Sequence, residues 1–403
     1  MQNKKGGAKV GEGSSGCVVF PHIKCNSSKK LTKKNNYVSK IINLLNNDKL
    51  DIIEELRINE LLTKKDPENI YCATIQEMCK LTPEMIKNRS DVVLKRKVSK
   101  KKSMKEHCQM VKETNNYNIV MTYAGSDLFD VLFDKNLSLQ YNFLIKHKIK
   151  TIIRHYLKGF QLLHTNYIIH QDVKPENLSM YIDVSKQMVY PKIIDFGGCE
   201  DLKKINTKSY DQIMNYILGT EGYMAPEKYL LSEIKKRINN QQTHKLQSPK
   251  HRLMICQKVH KILVHNEEDY LNRSLGITRQ LMNLTTVRRK KSSFSLRRRK
   301  SSTNILKIRK STRIFQLSDV LDLYDKIIKD ISKETFLNNY YKPVEGIVYK
   351  ADIYSLGVTF YIINKFTNIE NPELYNLIQK MICFDPYKRY NVKQCLDHKF
   401  LKS

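Results

Sequence analysis

"HQDVKPENL" occupies residues 170–178 and holds an acid, a lysine and an amide within six positions. Asp172 can accept the proton of a substrate hydroxyl or orient that hydroxyl, and Lys174 can neutralise charge on a transferring phosphoryl group. Asn177 offers a neutral oxygen to a divalent cation, and Mg²⁺ prefers such hard ligands while leaving places for substrate phosphates. The stretch therefore predicts a site for phosphoryl transfer.

A second acid lies downstream in "IIDFGG", residues 193–198. Apolar residues precede Asp195 and glycine follows it closely, a pattern typical of a strand end that turns sharply. We therefore expect Asn177 and Asp195 to converge on one cluster of metal and phosphate.

Residues 8–20, "AKVGEGSSGCVVF", read as a strand, a glycine-rich turn and a second strand. Glycines let a hairpin fold closely over phosphates and offer backbone N–H groups to them. A dinucleotide-binding G-x-G-x-x-G would open a helix, whereas "CVVF" after the last glycine reads as a strand. The candidate nucleotide contacts are Gly11, Glu12, Gly13, Ser14, Gly16 and Val18.

Lys40 ends the strand-like stretch "YVSK", where it could contact the phosphates that are not transferred, provided that a carboxylate orients it. The helix predicted over residues 50–62 supplies such a carboxylate. Glu55 suits the apolar positions of that helix better, and Glu54 is the alternative.

The order of these motifs resembles that of a eukaryotic-type protein kinase. Three later stretches are similar to the family's activation-segment end, its D-x-W-S-x-G helix and its late arginine motif: "GTEGYMAPE" (219–227), "ADIYSLGVTFY" (351–361) and "DPYKRY" (385–390). The resemblance implies that Glu227 pairs with Arg389. Tyr354 stands where the family usually has tryptophan.

The stretch "VMTYAGSDL", residues 120–128, resembles the hinge of the same family. The resemblance implies Met121 as gatekeeper, Tyr123 beside the adenine and Asp127 beside the ribose. It also implies ATP and Mg²⁺ as cofactors for the catalytic and metal-binding residues named above.

Strand patterns dominate the first third of the chain and helical patterns the remainder, which indicates two unequal lobes. The resemblance implies an α+β, bilobal protein-kinase fold over residues 5–403. We expect a small antiparallel β-sheet with one main helix in an N-lobe of about residues 5–123. A larger, mostly helical C-lobe is expected over about residues 127–403.

Lys174, together with Thr220 in a "GT" pair, is the family pattern for a serine or threonine acceptor, so protein substrates with these hydroxyls are expected. The stretches "GCVVFPHIKC" and "KKDPENIY" resemble divergent kinases of large nucleocytoplasmic DNA viruses. We expect a monomer in an intracellular, cytoplasmic location, which for a viral protein means the host cytoplasm or the virion.

Gln171 departs from the family, which has arginine in its H-R-D motif. That arginine commonly binds a phosphate on the activation loop. Without it, loop phosphorylation loses one charge-assisted contact of about 1.5–3 kcal/mol. We therefore predict that activity does not require phosphorylation of Thr207 or Ser209.

Residues 232–345 form a basic insert where the family has a short connection. They contain 26 Lys and Arg against 10 Asp and Glu, a net charge of +16 in a chain total of +31. Residues 288–313 include no acid, which predicts a solvated and partly disordered segment, whereas residues 314–331 regain helical periodicity. The charge suggests docking of an acidic partner, nucleic acid or an anionic surface.

The nine cysteines include no C-x-x-C pair and no zinc-like spacing with histidine. Cys72 and Cys79 are the closest candidates for a metal and lack partners, so we expect reduced thiols in a cytosolic type of compartment. The N-terminus has no apolar stretch typical of a secretory signal, and the apolar run 357–363 is too short to span a bilayer.

Two other functions are weighed against a protein kinase. A catalytically silent, kinase-like scaffold would bind acidic partners or nucleic acid through the insert, although no residue of the catalytic set is missing. A kinase of small molecules with a similar fold is the other alternative. The "APE" element with its Glu227–Arg389 pair argues against it, because in the family this element shapes a ledge for a polypeptide.

Overall fold

Contacts within the computed structural model divide the chain into two compact units. The first consists of Met1–Leu128 and Asn177–Cys199, and the second of Phe129–Glu176 and Glu200–Ser403. The structure describes residues 8–13, 16–20, 22–26, 31, 37–43, 49–82, 84–85, 116–205, 219–241, 245–263, 316–331, 342 and 346–402. Residues 177–199 group with the first unit, although the sequence predicts a single change of lobe near residue 127.

The first unit is built on an antiparallel five-stranded sheet in the order β1-β2-β3-β5-β4. A three-stranded sheet in the order β6-β8-β9 follows in the same unit. The strands are β1 (Ala8–Gly13), β2 (Gly16–Phe20), β3 (Tyr37–Asn43), β4 (Ile75–Lys80), β5 (Asn116–Thr122), β6 (Ser126–Asp127), β8 (Leu178–Asp183) and β9 (Met188–Ile193). This sheet with its one long helix, α1 (Lys49–Lys65), confirms the α+β class.

The centre of the sheet is the pairing of β3 with β5, in which Val38 lies opposite Met121 and Lys40 opposite Ile119. Val38 and Met121 belong to the buried apolar cluster of this sheet. Lys40 shares a strand face with Val38 because side chains alternate along a strand. The predicted strand end at Lys40 is wrong, since β3 continues to Asn43 and Lys40 occupies its middle.

Helix α1 confirms the helix predicted over residues 50–62 and buries Ile58 and Leu62 completely, but Ile53, which the periodicity placed near the apolar side, is exposed. The Asn59 side chain connects the helix to the sheet, because its Nδ2 donates to the Glu55 carbonyl and its Oδ1 accepts from the Ile75 N–H at 3.2 Å. The bond to Ile75 helps to set the position of α1, and with it Glu54 and Glu55, relative to the sheet.

A disulfide joins Cys25, in the segment before β3, to Cys79 in β4, 54 positions apart along the chain. The expectation that all thiols are reduced is therefore wrong for this pair. Cys72 has no such partner and is fully buried, and no cluster of metal-ligating His, Cys, Asp and Glu occurs among the described residues. The pairing has no signal in the sequence because the tertiary course of the segment before β3, and not cysteine spacing, brings the two Cβ atoms together.

Removing this disulfide is expected to lower the free energy of unfolding by about 2–4 kcal/mol, because a cross-link restricts the unfolded chain. The variant is Cys25→Ser/Cys79→Ser, measured by denaturant unfolding without reductant. Cys383→Ser, at a half-buried free thiol, is the matched control and should unfold like the wild type. Adding a thiol reductant should abolish the difference; an equal stability of wild type and double variant under oxidising conditions contradicts the prediction.

The second unit is mainly helical and carries one small antiparallel pair, β7 (Ile168–Ile169) with β10 (Glu200–Asp201). Its helices are α2 (Leu128–Phe133), α3 (Lys135–Thr165), α4 (Leu202–Ile205), α5 (Pro226–Asn239), α6 (249–263), α7 (Leu317–Ile331), α8 (Val348–Thr367), α9 (Pro372–Met381), α10 (Val392–Leu396) and α11 (Lys399–Lys402). No helix among the described residues is long and apolar enough to cross a bilayer.

Helices α3 and α8 form the core of the second unit. Asp134 caps α3 by accepting the N–H groups of Asn136 and Leu137, and sixteen residues of α8 are buried. Gly357 lets α8 approach α9 closely, because an added Cβ would stand 2.7 Å from the Met381 Cβ. A side chain at this position would push the two helices apart.

The described helices α6 and α7 of the basic insert belong to this unit. The helix predicted over 314–331 is confirmed as α7, which buries Val320 and Tyr324. The Tyr324 hydroxyl donates to the Leu246 carbonyl at 2.8 Å, and Cys256 Sγ in α6 lies 3.8 Å from the Val320 carbonyl. Residues 264–315, with the basic run 288–313, lie outside the described residues.

Candidate active site

Lys40 stands at the centre of a charged group in the first unit. Its Nζ lies 3.6 Å from Glu55 Oε1 and 3.5 Å from Asp195 Oδ1. Only 10% of its side chain is exposed. Glu54 points to a different partner, Arg57. The structure thus brings Lys40 together with Glu55 and Asp195, and not with Glu54.

Burial and charge act against each other at this lysine. Burial lowers the pKa of Lys40, but the Asp195 and Glu55 carboxylates raise it more, so its pKa lies above the ordinary value. Burial raises the pKa of Glu55, an effect that Lys40 offsets only in part. Lys40 is therefore a permanent cation at neutral pH, held by two carboxylates and available to an anion.

Asp195 and Asn177 come together through a backbone hydrogen bond. The Ile194 N–H donates to the Asn177 carbonyl at 3.0 Å, so the residue before Asp195 is tied to the residue that carries the amide. Asp195 has a φ of +60°, in a region that non-glycine residues seldom adopt. Strain of this kind is typical of residues aimed at a ligand.

The donor set at this point suits a hard divalent cation. Asp195 offers a carboxylate of which 37% of the side chain is exposed, and Asn177 offers an amide oxygen on the same unit. Mg²⁺ is commonly held by one or two such oxygens together with substrate phosphates and water. The residues present therefore fit Mg²⁺.

The glycine-rich segment folds as the hairpin that the sequence predicts. In the pairing of β1 with β2, Gly11 lies opposite Val18, Glu12 opposite Cys17, and Gly13 opposite Gly16. Ser14 lies outside the described residues. Val18 also pairs with Lys40 of β3, which places the middle of β2 beside the strand that carries this lysine.

The three residues of the predicted hinge lie in the stretch that runs from the end of β5 into β6. Met121 is buried in the apolar cluster of the sheet. Tyr123 packs its ring on Phe20 of β2 at 5.1 Å and on Tyr181 of β8 at 6.3 Å. Asp127 lies in β6 opposite Ser179. All three belong to the unit that carries Lys40.

Asp172, Lys174 and Thr220 form a closed triangle of polar contacts in the second unit. Lys174 Nζ lies 2.8 Å from Asp172 Oδ2 and donates to Thr220 Oγ1 at 2.8 Å. The Thr220 hydroxyl donates to Asp172 Oδ1 at 2.6 Å. Both carboxylate oxygens are thus engaged, one by a cation and one by a hydroxyl.

This triangle keeps Asp172 ionised. Burial raises the pKa of the Asp172 carboxyl, but the hydrogen bonds from Lys174 and Thr220 lower it more, so the pKa is below its usual value. An ionised carboxylate can accept a hydrogen bond from an alcohol and orient its oxygen for attack.

The backbone before Asp172 is fixed by a second buried acid, Asp352 of α8. Its Oδ2 accepts the His170 N–H at 2.8 Å and its Oδ1 accepts the Gln171 N–H at 2.9 Å. His164 Nε2 lies 3.1 Å from the same carboxylate. Gln171 has a φ of +66°, so these bonds hold a conformation that the residue alone would disfavour.

Gln171 itself is 3% exposed, and among the described residues neither polar atom of its side chain has a hydrogen-bond partner. A buried amide of this kind carries no charge that could bind a phosphate. That activity does not require phosphorylation of the activation loop stays a prediction, and its acceptors Thr207 and Ser209 lie outside the described residues.

Glu227 and Arg389 form a buried pair with two parallel hydrogen bonds. Arg389 Nη1 donates to Glu227 Oε1 at 2.7 Å and Nη2 donates to Oε2 at 2.9 Å, and both side chains are fully buried. The guanidinium lies over the Tyr354 ring, 4.9 Å from its centre. Tyrosine thus offers Arg389 an aromatic face at the position where the family usually has tryptophan.

Sequence analysis missed Lys228, the residue after the "APE" element. It is 3% exposed, and its Nζ donates to the Gln171 carbonyl at 3.3 Å. No motif marks this position, and a single lysine in sequence is most often a solvated surface residue. The only available signal was its place directly after Glu227.

Comparison with known proteins identifies the family to which this chain belongs. Residues 5–243 match the family described as "Protein kinase domain". The match spans more than half of the 403 residues. The chain therefore belongs to the protein kinase domain family.

Individual relatives are distant and longer than the matched part. Calcium-dependent protein kinase 4 of Plasmodium berghei is 26% identical over 245 residues, which are 56% of this chain and 43% of that protein. A serine/threonine-protein kinase of Drosophila melanogaster is 30% identical over 115 residues, 28% of this chain and 13% of that protein. One of Drosophila persimilis is 31% identical over 116 residues, 28% of this chain and 13% of that protein. This chain spans less than half the length of these relatives.

Proposed function

We propose that the protein is an active serine/threonine kinase that transfers the γ-phosphoryl group of ATP to protein hydroxyls. The observation that supports this most directly is the triangle of Asp172, Lys174 and Thr220, with both carboxylate oxygens engaged. The names of the Drosophila relatives point to the same acceptor class.

In this proposal the second unit prepares the acceptor hydroxyl. Asp172, ionised at neutral pH, accepts the hydrogen bond of the incoming hydroxyl, orients its oxygen and takes its proton as the new O–P bond forms and the bond from the γ-phosphorus to the leaving oxygen of ADP breaks. Lys174 neutralises negative charge on the transferring group, and the Thr220 hydroxyl keeps Asp172 in position. Most of the catalysis is positioning and charge stabilisation.

The first unit holds the nucleotide in the same proposal. Lys40 binds the phosphates that are not transferred, and Glu55 orients it. Asn177 and Asp195 hold Mg²⁺ through their side-chain oxygens. When bound, the cation neutralises charge on the phosphates. The glycine hairpin of β1 and β2 covers them with its backbone, and Tyr123 contacts the base.

The test measures transfer of labelled phosphate from ATP with Mg²⁺ to one generic basic and one generic acidic protein, followed by identification of the modified amino acid. We expect phosphoserine and phosphothreonine without phosphotyrosine, and loss of the signal in Lys40→Met. Label on tyrosine would contradict the acceptor class. Absence of label from every substrate would favour the catalytically silent scaffold.

The basic insert suggests which kinds of partner the protein binds. We propose that the basic insert docks an acidic protein, nucleic acid or an anionic surface, a function that rests on the charge of residues 288–313. Such binding should weaken as salt rises, and a flat salt response would contradict it. A monomeric state, an intracellular location and the likeness to viral kinases stay predictions.

A further inference from the structure

Lys228 is a buried lysine at a position that disfavours positive charge. It lies in the first turn of α5, where the helix dipole repels positive charge, and only 3% of it is exposed. Burial alone also disfavours the ammonium form. Nearby carboxylates oppose both effects by favouring the charged form.

The three carboxylates come from three parts of the second unit. Asp172 belongs to the "HQDVKPENL" segment, Glu227 to α5 and Asp352 to α8, and each acts on the charge of Lys228. Each carboxylate also has another cation or histidine beside it: Lys174 at Asp172, Arg389 at Glu227 and His164 at Asp352. The negative charge of all three carboxylates favours the ammonium form of Lys228.

One direct contact of Lys228 is with the chain next to Asp172. Its Nζ donates to the Gln171 carbonyl at 3.3 Å, while the Gln171 N–H donates to Asp352 at 2.9 Å. The Gln171 peptide units are therefore held from both sides, by a cation and by an anion. The Gln171 side chain contributes no charge here, so the cation must come from elsewhere.

We propose that Lys228 is a positioning residue that sets the backbone of Asp172 from within the fold, in place of the arginine that Gln171 replaces. This inference rests on the proposed kinase function. Loss of the positive charge would weaken the hydrogen bond to the Gln171 carbonyl, because a neutral amine is a poorer donor than an ammonium, and would allow Asp172 to shift. A shift of about 1 Å can cost roughly 100-fold in rate.

The electrostatic state of Lys228 gives the proposal a distinctive pH dependence. Burial lowers the pKa of Lys228 to about 8, although Asp352, Glu227 and Asp172 oppose that effect. The ammonium is therefore lost as pH rises through about 8. Between that value and the ordinary 10.5, the unfolded chain binds more protons than the folded one, so this group makes the fold more stable as pH rises. Activity and stability are thus expected to move in opposite directions through this group.

The experiment compares the full chain as wild type, Lys228→Met, Lys228→Arg and Lys236→Met, the last being an exposed lysine of the same helix. The values of kcat and KM for ATP are measured from about pH 6.5 to about pH 10. We expect Lys228→Met to lower kcat by roughly 10- to 100-fold at pH 7 with KM for ATP within about twofold of wild type. Lys236→Met should match the wild type.

The dependence of kcat on pH above neutrality distinguishes a positioning role of Lys228 from a role in packing alone. Wild-type kcat should fall above about pH 8, whereas Lys228→Arg should keep its kcat there because guanidinium does not titrate. Unfolding measured at the same pH values shows whether any fall comes from denaturation. An alkaline fall in Lys228→Arg equal to that of wild type, or wild-type kcat in Lys228→Met, would overturn the proposal.

A second measurement needs no activity. Amide hydrogen exchange at residues 170–173 should be roughly 10-fold faster in Lys228→Met and near wild type in Lys228→Arg. If even the wild type transfers no phosphate, the kinase function fails while this exchange result still decides the positioning. Unchanged exchange in Lys228→Met overturns the proposal. If Lys228→Met does not fold, the pH profiles of wild type and Lys228→Arg decide it.

Discussion

Replacing Asp172 with asparagine is expected to lower kcat by roughly 10²- to 10⁴-fold, the range for loss of a positioned acid–base group. Asparagine keeps the shape of the side chain and an oxygen that can accept from Thr220, but it loses the negative charge that Lys174 contacts at 2.8 Å. It also cannot take the proton of the acceptor. KM for ATP should stay within about twofold, because the residues proposed to hold the nucleotide are unchanged.

The matched control for Asp172→Asn is Asp183→Asn, which removes one acid from the β8–β9 hairpin, where Asp183 pairs with the exposed Lys186. This variant should retain wild-type kcat. Both variants are measured as purified full chains at saturating ATP and Mg²⁺. A kcat of Asp172→Asn within about threefold of wild type would remove Asp172 from its proposed role.

Replacing Arg389 with methionine is expected to lower the free energy of unfolding by about 3–5 kcal/mol, because Glu227 would remain buried without its cation. Arg389 also donates to the carbonyls of Cys383, Lys350 and Phe384. These acceptors would lose their donor in the variant. Denaturant unfolding with a common slope gives the measurement.

Two further variants test the cause of that loss. The double variant Glu227→Met/Arg389→Met should recover part of the stability, because it removes the unpaired buried charge. Arg252→Met breaks an arginine–carboxylate pair with Asp325 in which both side chains are substantially exposed, so it should cost no more than about 1 kcal/mol. An equal cost for Arg389→Met and Arg252→Met would show that burial of the Glu227 pair is not decisive.

The charged groups of the site were largely predictable from the sequence, because their motifs are local. The positions of Lys40 and Asp195 follow from strand patterns and glycine turns that span only a few residues. The choice between Glu54 and Glu55 was harder, since neighbouring residues on a helix point about 100° apart. The packing of α1 against the sheet, which includes the hydrogen bond between Asn59 and Ile75 of β4, places Glu55 rather than Glu54 beside Lys40.

The Glu227–Arg389 pair was predictable from the family resemblance, but other contacts between distant parts of the chain were not. The Cys25–Cys79 disulfide depends on the course of two segments 54 positions apart. Lys228 reaches the Gln171 carbonyl across 57 positions, and no sequence rule connects the two. The grouping of β8 and β9 with the first unit is likewise a matter of tertiary packing, because a short hairpin carries no signal of the unit it joins.

Because α6 and α7 anchor the basic insert, the length of the connection between these two helices has little effect on the stability of the second unit. The entropic cost of closing a flexible stretch grows only with the logarithm of its length, about 0.6 kcal/mol per doubling. Residues 264–315 connect two helices that are already fixed, through Tyr324 with Leu246 and through Cys256 with Val320. Evolution can therefore lengthen, shorten or recharge this connection while the helices at its two ends stay in place.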